Sequence, residues 1–372
     1  MKLSIERAAL LSALGHVQGV VERRNTIPIL SNVLLEAKDG RLALSATDMD
    51  IAVTEHTSAQ IGQGGATTAS AHTLHDIARK LPEGAEVELA TGEGGGRLAI
   101  RSGRSRFQLS CLPPEDFPLM SAGELPNRFV LAAAELRGLV ERTRFAISTE
   151  ETRYYLNGIY LHAAKSGRLK VLRAVATDGH RLARVEMPLP EGADGMPGVI
   201  VPRKTVTELG RLIEDSTDPV EVALSDTRVS FAFGDVVLVS KLIDGTFPDY
   251  ERVIPTENNK IMEVEPKRFA AAVDRVATIS TEKSRAVKFS LKDGTLTLSA
   301  TSPDSGTASE EVEVGYKGDA IEIGFNSRYL LDITERMEGE GIQFCMSDAA
   351  SPTLVRDRSD ASALYVLMPM RV

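Results

Sequence analysis

A stretch that recurs three times at long range constrains this chain more than any other feature. Lys38-Asp39-Gly40-Arg41-Leu42-Ala43-Leu44-Ser45-Ala46-Thr47-Asp48 returns as Lys165-Ser166-Gly167-Arg168-Leu169 with Val175-Ala176-Thr177-Asp178. It returns again as Lys292-Asp293-Gly294-Thr295-Leu296-Thr297-Leu298-Ser299-Ala300-Thr301-Ser302. The copies lie about 125–130 residues apart, the size of a whole domain and far longer than the unit of a solenoid. The chain therefore reads as three tandem copies of one fold, with expected domains at 1–125, 126–256 and 257–372.

Each copy has the same order of signals. An apolar stripe marks a first helix: Leu10, Leu14, Val17, Val21; then Ala132, Leu136, Leu139; then Phe269, Val273, Val276. A strand follows, expected at 29–36 and 155–162, and leads into the recurrent turn. Asp-Gly suits a two-residue hairpin whose residues both need positive φ. A second helix is marked by Leu74, Ile77, Ala78, Leu81; by Val206, Leu209, Gly210, Ile213; and by Leu330, Ile333, Thr334, Met337. Further strands are expected at 86–90, 97–102 and 106–111, at 220–224, 228–233 and 236–242, and at the C-terminal apolar segment from Ala363. Strands joined by two-residue turns are antiparallel, since parallel strands need long crossovers. The fold class is α+β, three tandem copies of two helices plus antiparallel sheets.

Composition excludes several functions. Two cysteines, Cys111 and Cys345, stand far apart without zinc-ligand spacing, which fits a reducing cytoplasm. The opening Met1-Lys2-Leu3-Ser4-Ile5-Glu6-Arg7 is interrupted by charge at once and does not read as a signal peptide. No apolar run approaches the roughly 20 residues of a membrane span. The net charge of −9 argues against a general nucleic-acid binder, although one basic face on an acidic body remains compatible with it. Helix-borne Lys and Arg residues recur in all three copies and would sum to a basic strip if the helices faced one way.

Catalytic patterns are weak. Asp178 and His180 in Thr177-Asp178-Gly179-His180-Arg181 could suggest an acid/base pair or a metal site, but no second His or Cys lies at ligand spacing. The corresponding Asp48-Met49-Asp50 and Ser302-Pro303-Asp304 keep no His, so a turn or binding surface is the better reading. Gly92-Glu93-Gly94-Gly95-Gly96 lacks the phosphate-cradling patterns and reads as a hairpin loop. No catalytic site, cofactor or metal is expected. An enzyme using Asp178 and His180, and a peptide-binding scaffold without a DNA role, stand as the alternatives.

Four motifs extend the argument: Thr26-Ile27-Pro28-Ile29-Leu30, Arg153-Tyr154-Tyr155-Leu156-Asn157-Gly158, Ala176-Thr177-Asp178-Gly179-His180-Arg181-Leu182, and Phe247-Pro248-Asp249-Tyr250, with a terminal Met368-Pro369-Met370-Arg371. In this order and spacing the chain resembles the bacterial sliding-clamp family, the β subunits of DNA polymerase III, over essentially its whole length. The resemblance implies a head-to-tail homodimer forming a six-domain ring around duplex DNA, without sequence preference and without catalysis. It implies partners that dock through short linear peptides with an apolar end: the polymerase III catalytic subunit, the clamp-loader ATPase, other polymerases and repair proteins. Carried over residue by residue, the peptide site comprises Leu156, Thr177, Gly179, His180, Arg181, Leu182, Pro248, Arg252, Val253, Val366, Met368, Pro369, Met370 and Arg371. Arg24, Tyr154 and Tyr155 fall at DNA-contacting positions, and Phe107 and Ile279 at the ring contact. The location implied is the cytoplasm, with no membrane partner.

Overall fold

The structure is a computed structural model that describes residues 1–92, 94–280 and 285–371. Glu93 of the glycine loop and the terminal Val372 lie outside the described residues. Each copy contributes two helices: α1 (Arg7–Gln18) and α2 (Ala71–Lys80), α3 (Ala133–Glu141) and α4 (Arg203–Leu212), α5 (Pro266–Ala277) and α6 (Ser327–Thr334). The apolar stripes are their buried faces: Leu10, Leu14 and Val17 on α1, Phe269, Val273 and Val276 on α5. Burying such a side chain stabilises by about 1.5–3 kcal/mol, enough to offset the modest intrinsic stability of a 12-residue helix. Glu265 caps α5 by accepting from the backbone N–H groups of Lys267 and Arg268, with Pro266 at the first helical position.

The chain folds into two compact units. One comprises Met1–Leu136, Pro190–Pro197 and Lys204–Leu242; the other comprises Arg137–Leu189, Gly198–Arg203 and the chain from Ile243 on. The middle copy is therefore shared between them. Strand pairing supplies the reason. In the first unit an eight-stranded antiparallel sheet runs Asn127–Leu131, Val220–Leu224, Arg228–Phe233, Val236–Lys241, Ile51–Ser58, Arg41–Thr47, Asn32–Lys38, Gly65–Ser70. Its seam is Val236–Lys241 against Ile51–Ser58, with Val236 opposite Glu55 and Ser240 opposite Ile51. Four strands of the middle copy thus complete four of the first. In the second unit the seam is Arg181–Pro188 against Ala363–Leu367, with Arg181 opposite Leu367 and Val185 opposite Ala363. Each seam satisfies a row of backbone groups that a separate four-stranded sheet would leave open.

Two smaller sheets complete the units. The first has the order Gln60–Gln63, Lys2–Glu6, Glu86–Thr91, Arg97–Ser102, Ser105–Ser110. The second has the order Gly306–Glu313, Thr295–Ser302, Ala286–Lys292, Ile321–Asn326. Each ends on a strand, Ser105–Ser110 or Gly306–Glu313, that corresponds to a seam strand elsewhere and has no further partner among the described residues.

The recurrent turn behaves as its residues require in two copies. Asp39 and Gly40 have φ of 49° and 77°, and Asp293 and Gly294 have 49° and 78°, so both hairpins use two left-handed residues. The middle copy differs. Ser166 pairs with Leu169, so Gly167-Arg168 forms the turn and only Gly167, at φ 60°, is left-handed. Two expected strands begin later than their sequence suggests. Pro28–Ser31 and Glu151–Leu156 are short 3-10 turns, and the strands start at Asn32 and Gly158. The stretches Gln60–Gln63 and Gly65–Ser70 are strands that the periodicity did not mark. Met337 lies past the end of α6.

Candidate functional site

The turn holding Asp178 and His180 is a backbone device. Asp178 Oδ1 accepts from the N–H groups of His180 (2.9 Å) and Arg181 (3.0 Å), and its Oδ2 accepts from Arg181 Nε at 3.1 Å. Thr177 Oγ1 donates to the carbonyl of Arg181 (2.7 Å) and accepts from Gly179 N–H (3.1 Å). The first copy builds the same turn from Thr47 and Asp48, with Met49 at φ 78° where Gly179 has 88°. Asp178 is thus committed to the turn and to Arg181, and His180 is exposed. No group of three or more His, Cys, Asp or Glu side chains among the described residues could hold a metal.

The turn instead forms one wall of a cavity of about 290 Å³ in the second unit. It is lined by Arg153, Tyr155, Leu156, Thr177, Gly179, Arg181, Leu182, Pro248, Asp249, Tyr250, Val253, Val366 and Met368. Four stretches meet there: the 3-10 turn Glu151–Leu156, the Thr177 turn, the 3-10 turn Tyr250–Val253 with the two residues before it, and the last strand. The seam brings the second and fourth together, and Met368 N–H donates to the carbonyl of His180 at 2.9 Å. Beneath lies a buried cluster of Leu156, Val175, Leu182, Ile200, Phe247, Tyr250 and Val366. Met368 is 39% exposed at the rim, where an unbranched, polarizable side chain can repack around different ligands. The cavity is concave and mostly apolar with a few polar groups, the form taken by sites for small molecules and short peptide ends.

Two arginines fix its walls. Arg181, 9% exposed, is paired with Asp178 and with Asp332 of α6, donates to the carbonyl of Phe145 at 2.6 Å, and lies against the Phe145 and Tyr329 rings (5.1 and 4.2 Å to the centroids). Arg173, 4% exposed, is paired with Glu186 (2.7 Å) and Glu251 (2.5 Å) and donates to the Tyr250 hydroxyl (3.2 Å). Burial works against the Arg173 charge, but its bonds to Glu186 and Tyr250 outweigh that and hold its pKa above the ordinary value. Burial likewise works to raise Glu186, yet the Ser166 and Arg173 bonds keep the carboxyl below its usual range. Burial pushes the Tyr250 phenol up and the His162 imidazole down.

Of the residues assigned from the resemblance, the cavity brings together Leu156, Thr177, Gly179, Arg181, Leu182, Pro248, Val253, Val366 and Met368. His180, Arg252, Pro369, Met370 and Arg371 are not part of its lining. His180 contributes a backbone carbonyl, Arg252 pairs outward with Asp249 at 2.7 Å, and Met370 N–H bonds to the carbonyl of Gly324 at 2.8 Å. Arg153, Tyr155, Asp249 and Tyr250 line the cavity without having been assigned to it. Asp249 and Tyr250 belonged to a quoted motif, and that adjacency was the available signal. Tyr155, assigned to DNA, lies on the cavity wall, whereas Tyr154 is 52% exposed with its ring edge-on to Tyr155. Arg24 is exposed between α1 and the first 3-10 turn, with no ion pair among the described residues. Phe107, 37% exposed, stands on the open Ser105–Ser110 edge, and Ile279 is half-buried just past α5.

Three family models match in series: the N-terminal domain of the DNA polymerase III beta subunit at residues 1–121, its central domain at 130–249 and its C-terminal domain at 251–371. The beta sliding clamp of Caulobacter vibrioides is 57% identical over 372 residues, covering all of both chains, and that of Escherichia coli K12 is 39% identical over 373 residues, again covering both. The crystal structure of the Caulobacter crescentus beta sliding clamp superposes with a TM-score of 0.98 at 57% identity, covering 100% of this chain and 99% of that one. A Bartonella birtlesii sliding clamp bound to griselimycin gives 0.97 at 50% identity with full coverage of both. With the triple repeat, the shared turn chemistry and the cavity, these likenesses show that the chain belongs to the beta sliding clamp family, the beta subunits of DNA polymerase III.

Proposed function

We propose that two copies of this chain close head to tail into a ring around duplex DNA and tether the replicative polymerase, without catalysis of their own. The single observation that carries this is the pair of unused sheet edges. Val236–Lys241 pairs with Ile51–Ser58, and Ala363–Leu367 with Arg181–Pro188. By the same rule the last strand of the first copy, Ser105–Ser110, pairs with Gly306–Glu313 of the third, and in a ring that third copy belongs to the second chain. Charge supports the pairing. Arg106 on one edge strand, Arg104 in its hairpin turn and Arg101 on the strand behind are exposed without ion pairs among the described residues, and on the other edge Glu311 is exposed while Glu310 and Glu313 pair with Arg275 and Arg268 of α5. Complementary potentials of this kind fix register and orientation. Two such head-to-tail contacts, related by a two-fold axis, close the assembly.

A closed ring is retained by topology, so contacts with DNA can be weak, sequence-blind and salt-sensitive. That reconciles a DNA function with a net charge of −9. Arg24 and Tyr154 are available for such contacts. The cavity takes the apolar end of short peptides from the polymerase III catalytic subunit, the clamp loader, other polymerases and repair proteins. The griselimycin complexes of the Bartonella birtlesii and Pseudomonas aeruginosa relatives support a ligand site on this fold. The setting is the cytoplasm, and no helix among the described residues is long and apolar enough to cross a membrane. The test is retention of the loaded protein on nicked circular DNA before and after the circle is cut. Loss on cutting is expected; equal retention on both would mean direct binding and would remove the sliding mechanism.

A further inference from the structure

The cavity wall at Tyr250 is held by a hydrogen-bond chain whose direction can be assigned. His162 Nδ1 lies 3.1 Å from the carbonyl of Ala163, which can only accept, so Nδ1 carries the proton. In the neutral ring Nε2 is then an acceptor, and its partner at 3.1 Å is the Tyr250 hydroxyl, which donates to it. The same hydroxyl oxygen accepts from Arg173 Nη1 at 3.2 Å. Protons therefore point one way, from Arg173 to Tyr250 to His162 to the backbone. Arg173 cannot reverse its part, since it has no acceptor and is fixed by Glu186, Glu251 and the carbonyl of Lys165. The ring of His162 is stacked on Tyr160 (4.4 Å), which is stacked on Phe247 (4.9 Å). Tyr250 begins the 3-10 turn that carries Val253, and it follows Pro248 and Asp249, so its position sets one side of the cavity.

We propose that Arg173 and His162 are positioning residues for the peptide cavity, holding Tyr250 through a one-way relay that protonation of His162 breaks, so that ligand affinity falls in mild acid. This rests on the peptide reading of the cavity. A proton on Nε2 would leave the Tyr250 oxygen facing two donors and its own O–H without its acceptor. It would also set a second cation beside Arg173. The charged and titratable groups around His162 are Arg173 opposite it on the neighbouring strand, Tyr160 stacked on its ring, and Tyr250 and Glu251 from the 3-10 turn, with Glu186 one strand further on, opposite Arg173. Burial lowers the His162 pKa from its ordinary 6.5, so the relay is intact at neutral pH and is lost as pH falls below that range.

The experiment measures anisotropy of a fluorescein-labelled hexapeptide ending in Leu-Phe on the intact protein from pH 7.5 down through the His162 titration. It is paired with an NMR titration of the His162 ring proton, assigned with His162→Gln. Wild-type affinity is expected to weaken about three- to tenfold, the equivalent of roughly half to one pKa unit of coupling. His162→Gln, which can accept from Tyr250 but does not titrate, is expected to give a flat profile. In Tyr250→Phe the His162 pKa should rise, because the neutral ring has lost its donor. A wild-type slope retained in His162→Gln would assign the effect to another group and overturn the proposal; so would a flat wild-type profile across the His162 titration. Absence of peptide binding at any pH would sink the peptide reading instead. The NMR arm then decides the relay alone, and an unchanged His162 pKa in Tyr250→Phe would refute it.

Discussion

Arg181→Ala should be among the most damaging single substitutions in the second unit. The guanidinium is 9% exposed and serves two carboxylates, Asp178 at 3.1 Å and Asp332, one carbonyl, Phe145 at 2.6 Å, and two aromatic faces. Removing one partner of a buried pair costs about 3–5 kcal/mol when the other charge stays behind without compensation. Asp178 retains the backbone N–H groups of His180 and of the residue after it, and Asp332 retains Arg328 at 4.0 Å. Here Asp178 and Asp332 keep 17% and 24% of their side-chain surface in water, which argues for the low end, about 3 kcal/mol. Lost contact with two rings adds about 1 kcal/mol, for an expected total of about 4 kcal/mol. The chain has no tryptophan, so hydrogen exchange read by mass spectrometry on peptides covering Arg181–Pro188 and α6 is the better assay, and it localises the loss to this unit. Asp332→Asn in the Arg181→Ala background removes a carboxylate left with only the long Arg328 pair, at 4.0 Å, and should recover about 1 kcal/mol. A loss under about 1 kcal/mol, with the double variant merely additive, would show that the cluster is worth no more than surface pairs and would refute the reasoning.

Two further substitutions test other parts of the account. Gly179→Ala places a side chain at φ 88°, with the new Cβ 2.5 Å from Arg153 Nη1. It should cost about 1 kcal/mol of stability. It should also weaken peptide binding by swinging Arg153 off the Asp178 carbonyl; a wild-type melting temperature together with wild-type affinity would contradict this. Arg106→Glu should shift the protein from dimer to monomer in sedimentation at a concentration where the unmodified chain is paired, and Glu311→Arg in the same chain should restore pairing in part. A dimer indifferent to both would exclude these edges from the contact.

How much of this was readable in advance depends on the range over which each feature is decided. The Asp39-Gly40 and Asp293-Gly294 turns were legible because two consecutive left-handed residues leave few choices of side chain. Helices were legible because one buried face of a dozen residues writes its period into the sequence, as Phe269, Val273 and Val276 do on α5. Residues 29–31 and 155–156, the ends of two 3-10 turns, were misjudged as strand because a single 3-10 turn is too short to show a period, and Ile, Tyr and Leu are strand-prone residues. The strand Gly65–Ser70 was invisible for the opposite reason. It is built from Gly, Ala, Thr and Ser, and it is held by register and by Thr68, which accepts from Asn32 at 2.9 Å and donates to the carbonyl of Leu112 at 2.8 Å.

The cavity belongs to a further class. No local pattern joins Leu156, Gly179, Tyr250 and Met368; the seam between Arg181–Pro188 and Ala363–Leu367 does so, across nearly 200 residues of chain. Only the resemblance carried Leu156, Gly179 and Met368 forward, and it left Tyr250 unassigned. It selected residues that could touch a ligand and passed over Arg173 and His162, which act on the wall from behind. The equivalent seam of the first unit makes the same distinction. There Lys241 N–H donates to the carbonyl of Asp50 at 2.8 Å, as Met368 N–H does to that of His180, and the backbone is the same. The side chains differ. Lys241 is paired with Asp50 at 2.9 Å, and Met49 projects from the turn where Gly179 leaves space. A shared fold provides the seam in both units, and a few side chains distinguish the seam that borders this cavity from the other.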